Sequence, residues 1–319
     1  MDRQINNRAM SVNSLSVVIP VYNSGAALPA LIERLQPVLS VRAAQVEVLL
    51  VNDGSGDDSW EMICKLAAQR DWVRGINLMR NYGQHNALLC GIRAARYEII
   101  VTMDDDLQHP PEEIPKLLSK LSEGYDVVYG TPLKEQHGIW RDMASRITKL
   151  VLQGAMGADV ARQVSAFRAL RTQVRDAFTA YQSPFISIDV LLTWGTTRFT
   201  AIPVRHDARA TGVSNYTLRK LITHAINMMT GFSTLPLQLA SLIGFSFTLF
   251  GLAVLVYVIV AYLVYGDRVP GFPFLASVIS IFSGAQLFAL GIIGEYLARI
   301  HFRTMDRPAY TVRSDTITN

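Results

Sequence analysis

The chain has 319 residues, of which 50% are hydrophobic and 18% charged, with a formal net charge of +4. Soluble globular chains carry about 25% charged residues, and the deficit here is local: no Asp, Glu, Lys or Arg lies between Lys220 and Asp267, or between Arg268 and Glu295. Two such gaps exclude a wholly soluble protein and a disordered one, and a mild charge without a dense basic stripe excludes a nucleic-acid binder.

In chain order, Met1–Asn13 is polar and lacks the apolar stretch of a cleavable signal peptide. It reads as a flexible tail over 1–13, which leaves the first domain in the cytoplasm. Leu15–Pro20 is an apolar strand, and Ala26–Leu39 is a helix with Leu28, Leu31, Ile32 and Leu35 on one side. Val46–Val51 is a second strand; Asp57 and Asp58 cap a helix running through Ala68. Val73–Leu78, Glu98–Met103 and Asp126–Tyr129 are further strands, with helices at Asn86–Ala95 and Pro111–Glu123 between them. Near-continuous apolar strands alternating with helices predict an α/β domain with a mostly parallel, Rossmann-like sheet covered on both faces. Ligands of such sheets bind beyond the carboxyl ends of the strands. The polar clusters Tyr22-Asn23, Asn52-Asp53-Gly54-Ser55 and Asp104-Asp105-Asp106 fall at those ends.

Ser165–Leu170 and Arg198–Arg205 read as two more strands. Ile139–Met156 has Trp140, Met143, Ile147, Leu150 and Val151 on one face and Arg141, Arg146 and Lys149 on another. The pattern fits an interfacial amphipathic helix and equally a surface helix facing a core. Thr217–Phe232 is a second amphipathic candidate, within an interfacial segment over 216–234. Leu237–Val264 is roughly 42 Å long as a helix, more than the ~30 Å hydrocarbon core, and Phe272–Gly294 is a second span. The short link between them makes a two-helix transmembrane hairpin over 235–295. Arg219 and Lys220 precede it, Arg299, Arg303, Arg307 and Arg313 follow it, and the link holds only Arg268 beside Asp267. The positive-inside rule then places both ends, including a C-terminal tail over 296–319, in the cytoplasm of an inner-membrane protein.

Cys64 and Cys90 have no spacing for a disulfide framework or a zinc site and are expected on apolar helices. His85, His109, His206 and His224 lack metal-ligand spacing. No phosphate-binding GxxxxGK[ST] loop, GxGxxG turn, GxSxG elbow or HExxH pair is present. The chemical feature that stands out is Asp104-Asp105-Asp106-Leu107-Gln108 after an apolar strand. Carboxylates and an amide oxygen so spaced suit a hard divalent cation, Mg²⁺ or Mn²⁺, able to bridge nucleotide phosphates. A solvated acidic turn capping the next helix is the alternative, and the two other polar strand ends favour the cation.

Pro20-Val21-Tyr22-Asn23, Asn52–Ser55, Arg80-Asn81-Tyr82-Gly83-Gln84, Asp104–Pro111 and Arg209–Tyr216 occur in this order. As an ordered set, followed by the hairpin, they resemble family 2 glycosyltransferases of the GT-A fold. The likeness is greatest to the polyprenyl-phosphate branch, which includes dolichol-phosphate and undecaprenyl-phosphate sugar transferases. The resemblance implies a GT-A catalytic domain over 14–215. It also implies inverting transfer of a sugar from a UDP- or GDP-linked donor to a polyprenyl phosphate at the membrane, with a homotetramer permitted. By the same resemblance, Pro20, Tyr22 and Asp53 hold the donor base and ribose, and Asp104 and Asp106 form a DxD pair around Asp105. Asp106 and Gln108 carry the metal, and Arg209 stabilises the departing diphosphate, with donor contact Ser214 in the same segment. Lys134, Arg141 and Arg146 approach the lipid phosphate.

Two positions depart from the family pattern. Ser24, at a donor-contact position beside Asp104 and Asp105 in the donor-binding set, stands where the family usually has Glu, and Asn215 where it usually has Lys. They leave open a different donor or a non-catalytic, membrane-tethered sugar-nucleotide-binding protein. A polysaccharide synthase would need a Gln-x-x-Arg-Trp-like motif, and Gln136–Arg141 has the wrong spacing.

Overall fold

A computed structural model describes residues 12–132, 163–183, 186–207, 235–265, 271–305 and 307–317. The chain divides into two units, 1–221 with 307–319, and 222–306.

The first unit is built on strands β1 (Val12–Val21), β2 (Ala43–Asn52), β3 (Val73–Leu78), β4 (Ile99–Thr102), β5 (Val127–Pro132), β6 (Arg168–Arg171), β7 (Phe199–Val204) and β8 (Val312–Asp315). They form one sheet in the order β7-β5-β6-β4-β1-β2-β3-β8. β1 runs parallel to β2 and β4, β2 to β3, and β5 to β7, whereas β6 is antiparallel to β4 and β5, and β8 to β3. The sheet is therefore mixed but mostly parallel, as expected. Helices α1 (Leu28–Arg42), α2 (Ser59–Gln69), α3 (Gln84–Ala94), α4 (Ile114–Leu121) and α5 (Ile188–Gly195) accompany it.

Strand periodicity divides the core into two layers. Leu15, Val17, Ile19 and Val21 of β1 are fully buried in one cluster with Leu28, Leu31, Ile32, Leu35 and Leu39 of α1 and Leu117 and Leu121 of α4. Each of these side chains contributes about 1.5–3 kcal/mol of burial. On the other face α3 packs on β1 and β2. Gly91 makes that contact close, because a Cβ there would lie 2.3 Å from Val18 Cγ1. Pro29 starts α1 at a position whose amide has no helical partner. The helix expected from Pro111 begins with a 3₁₀ turn at Pro111–Glu113 before α4.

β1 lies between β2 and β4, so the chain leaves it on one side and returns on the other. The crevice at such a switch point lies beyond the strands' carboxyl ends, where Tyr22, Asp53 and Asp104 sit.

The segment expected as a tail over 296–319 is more than a tail. It holds the last turns of a long helix and, past them, β8. Four residues, two exposed and two half-buried, carry too weak an alternation to announce a strand, and their pairing partner lies far back in the chain.

The second unit contains two long helices, α6 (Leu235–Tyr265) and α7 (Phe272–Thr304). Pro236–Val264 and Ile281–His301 are long and apolar enough to cross a membrane, and neither stretch is buried within the protein. Leu242, Phe245, Phe250 and Leu263 are all more than half exposed, a surface that water does not tolerate at this extent. The helices touch through Phe247 and Phe282, with ring centroids 5.4 Å apart. α7 continues ten residues past the expected end of the second span. The proposed interfacial segments at 139–156 and 216–234 lie outside the described residues.

Candidate active site

The exits of β1 and β2 are stitched together. The Asn23 amide donates to Ser55 Oγ at 3.0 Å, and Gly56 N–H donates to Asn23 Oδ1 at 2.8 Å. Asn23 turns through a left-handed backbone conformation, φ 54°, which Asn tolerates better than most residues. Asp57 completes the stitch by accepting from the Ser59 amide at 3.1 Å and the Gly25 amide at 3.3 Å. Asp57 rather than Asp58 therefore supplies the side-chain oxygen at the start of α2. Pro20 is buried inside β1, paired with Val51. The exposed part of this motif is Tyr22, 52% accessible.

Asp53 is buried, and its two oxygens accept the Tyr82 amide at 2.7 Å and the Gly83 amide at 2.8 Å. Burial pushes its carboxyl above the usual range, against the opposing pull of these two amides and Arg80. The loop Arg80–Gly83 that supplies the amides is stacked on itself, with the Arg80 guanidinium 4.4 Å from the Tyr82 ring centroid. Gly54, at φ 64°, lets β2's exit pass this loop. A Cβ there would lie 2.4 Å from the Arg80 carbonyl carbon and the Asn81 nitrogen. Gly54→Ala is accordingly expected to cost about 1–3 kcal/mol. It should also displace the loop, and a lower Tm would register the change.

The acidic segment follows β4. Asp104 accepts Gln84 Nε2 at 2.6 Å. Asp105 accepts the Tyr22 amide at 3.4 Å, and burial raises its carboxyl above the usual range. Ser24, the departure from the family pattern, donates its hydroxyl to the Tyr22 carbonyl at 3.2 Å, beside Asp105. Leu107 is in the left-handed region at φ 59°, a strained conformation for a branched side chain. The turn it makes brings the Gln108 amide to Asp106 Oδ1 at 3.1 Å.

The exit of β7 is hooked to the same segment. Asp207 N–H donates to the Gln108 carbonyl at 2.8 Å, and Arg205 N–H to a Glu113 oxygen at 3.3 Å. The His206 ring meets the His109 ring edge-on with centroids 4.9 Å apart, and His109 stacks on Phe167. Burial first, then His206, pulls His109 down to about 4, so this buried imidazole is neutral at neutral pH. The two histidines pack the hook between β7 and the acidic segment.

The structure brings Tyr22, Ser24, Asp53, Asp104, Asp105, Asp106 and Gln108 to one end of the sheet. Arg209, Ser214, Lys134, Arg141 and Arg146 lie outside the described residues. Sequence reading assigned no role to Gln84 or to the Tyr82 and Gly83 amides, although their segment was among the motifs; the glycine before a helix was the available signal. It also missed the buried Arg168–Asp189 ion pair, whose carboxylate accepts the Tyr129 hydroxyl at 3.1 Å.

Among the described residues no three His, Cys, Asp or Glu side chains converge into a closed metal cage. The oxygens of Asp106 and Gln108 nevertheless fit a hard cation that keeps open positions for phosphate and water, as Mg²⁺ or Mn²⁺ does.

The sequence profile of glycosyl transferase family 2 matches residues 16–183. The chain is 36% identical over 305 residues to the undecaprenyl-phosphate 4-deoxy-4-formamido-L-arabinose transferase of Yersinia enterocolitica, spanning 95% of this chain and 93% of that protein. The protein of the same name from Klebsiella pneumoniae is equally similar, at 36% over the same shares. Among solved structures, glucosyl-3-phosphoglycerate synthase from Mycobacterium tuberculosis, in complex with Mn²⁺, UDP-glucose and phosphoglyceric acid, superposes with a TM-score of 0.53. Its identity is 18%, over 68% of this chain and 78% of that one, a likeness of fold.

Proposed function

Because the chain belongs to glycosyl transferase family 2, we propose that it moves a sugar from a nucleotide-sugar to a polyprenyl phosphate, undecaprenyl phosphate being the acceptor its relatives' names point to. The observation that carries this reading is the convergence at one sheet end of Tyr22, Asp53 and the Asp104–Gln108 turn. Tyr22 offers an exposed ring for a base, and Asp53 orders the loop beside it. Asp104 and Asp105 offer carboxylates for ribose hydroxyls. Asp106 and Gln108 would hold a divalent cation, which when bound offsets the charge of the departing diphosphate.

Arg209 follows Asp207 by two residues, no more than about 7 Å of chain, and Asp207 is hooked to Gln108. That continuity supports Arg209 as a further cation for the diphosphate. The acceptor phosphate has a second pKa near ~6 and arrives as an anion. No strong base is needed; orientation and leaving-group stabilisation carry the rate of a single inverting displacement. Lys134, Arg141 and Arg146 are the cations we assign to the lipid phosphate.

The membrane arrangement follows from the acceptor, whose tail stays in the bilayer. We assign α6 and α7 as the two spans, with the catalytic sheet on the cytoplasmic side. β8 lies in the same sheet as β1–β7, so the chain that leaves this domain through α6 returns to it after α7, which two crossings satisfy. The Arg and Lys residues flanking the pair support the cytoplasmic side.

The test is a screen of radiolabelled nucleotide-sugars, UDP- and GDP-linked, against undecaprenyl phosphate with Mg²⁺ or Mn²⁺. Label is expected in the organic phase and to vanish with EDTA. Label in polymer would replace the reading with a synthase, and no product with any donor would defeat it.

A further inference from the structure

We propose that the stretch from Arg307 to Arg313 of the return segment Arg307–Ile317 is a working part of the donor site, and that Arg313 is a positioning residue for the Arg80–Gly83 loop. The inference rests on the crevice being the nucleotide site.

β3 ends at Leu78, and its ladder with β8 ends there with an irregularity. The next residue, Met79, is nevertheless held at both backbone groups by the return segment. Its amide donates to the Thr311 carbonyl at 2.9 Å, and its carbonyl accepts Arg313 Nη2 at 3.1 Å. Met79 is the root of the loop whose Tyr82 and Gly83 amides hold Asp53.

The same segment also grips the helix that follows the loop. Ala309 is buried, and the Tyr310 ring lies against Arg93 of α3, whose guanidinium is 5.9 Å from the ring centroid. α3 begins at Gln84, the partner of Asp104. The loop is therefore clamped at its root and along the helix beyond it, by residues that follow α7 in the chain. A plain edge strand would stop at the ladder; here a side chain continues past it. At its far end the segment is fastened independently, through the Arg74–Asp315 ion pair and the Gly75 amide on Thr316 Oγ1 at 3.0 Å.

The two ends allow a decisive comparison in the full-length protein in detergent. Arg313 is exposed, so Arg313→Ala leaves the core packed. It is expected to speed amide exchange at Tyr82 and Gly83 and to raise donor KM, each by about fivefold, the worth of one solvent-exposed hydrogen bond. kcat and acceptor KM should stay within about twofold, and Arg313→Lys should recover part of the loss. Asp315→Asn breaks the far fastening. It is expected to lower Tm without moving exchange at Tyr82 and Gly83 or donor KM. Unchanged exchange in Arg313→Ala, or equal effects of the two variants, would reduce the segment to an edge strand and overturn the proposal. A wild-type chain that transfers no sugar defeats the reading of the crevice instead, while the exchange comparison still decides the clamp.

Discussion

Asp106→Asn is expected to abolish sugar transfer while leaving the protein folded in the membrane. Asn keeps the size of the side chain and an Oδ1 able to accept the Gln108 amide, which sits 3.1 Å from that atom in the native turn. The turn through Leu107 therefore survives, and what is lost is the negative charge. In the proposed reaction that charge is what would hold a divalent cation against the donor diphosphate, together with the neutral amide of Gln108. Losing it should reduce kcat by at least about 10³-fold, near ~4 kcal/mol of transition-state stabilisation. Lipid-linked product measured beside Tm decides the matter. Activity within a few-fold of wild type would remove Asp106 from the metal role. A collapse of Tm together with activity would make it a structural residue.

Contiguity explains what was legible beforehand. β3 is found over Val73–Leu78 as expected, because a short, nearly unbroken apolar run bounded by polar residues has few alternatives. The Asp104–Gln108 turn was legible for the same reason, its chemistry being written in successive residues. α4 gave way to a 3₁₀ first turn where Pro110, Pro111 and Pro115 crowd the helix start. The illegible parts depend on partners far away in the chain. β8 is four residues long and meets β3 across 241 positions at Arg74 and Asp315. The pairings of Gln84 with Asp104 and of the Tyr22 amide with Asp105 are likewise invisible until β1 to β4 assemble into one sheet. Ser24 shows the consequence: in the sequence it is only a missing acid, whereas in the fold its hydroxyl binds the Tyr22 carbonyl beside Asp105.

Asp53→Ala is expected to have the second large effect, and through two routes. Removing the carboxylate leaves the Tyr82 and Gly83 amides without their acceptor in a part-buried setting. Hydrogen bonds to a charged group are worth about 1.5–3 kcal/mol each, so Tm should fall and donor KM should rise by about 10²-fold. Lipid-acceptor KM is expected to stay within a few-fold, and an equal rise in both would show general unfolding rather than loss of the loop. The wild-type pH profile gives an independent check. Burial raises the folded-state pKa of Asp53, and of Asp105, above the ordinary 3.8. A raised pKa contributes stability that is complete below 3.8 and lost as pH rises through the folded-state value. Donor binding runs the other way, since the amide cradle needs the charged form. Donor affinity should therefore fall, as pH drops, at a value above the ordinary carboxylate range, while these two groups favour the folded state over the same interval. An acid limb at or below 3.8 in kcat/KM for the donor would mean that neither carboxylate governs binding. A limb above it that shifts in Asp53→Asn would assign the titration to the carboxylate that orders the loop.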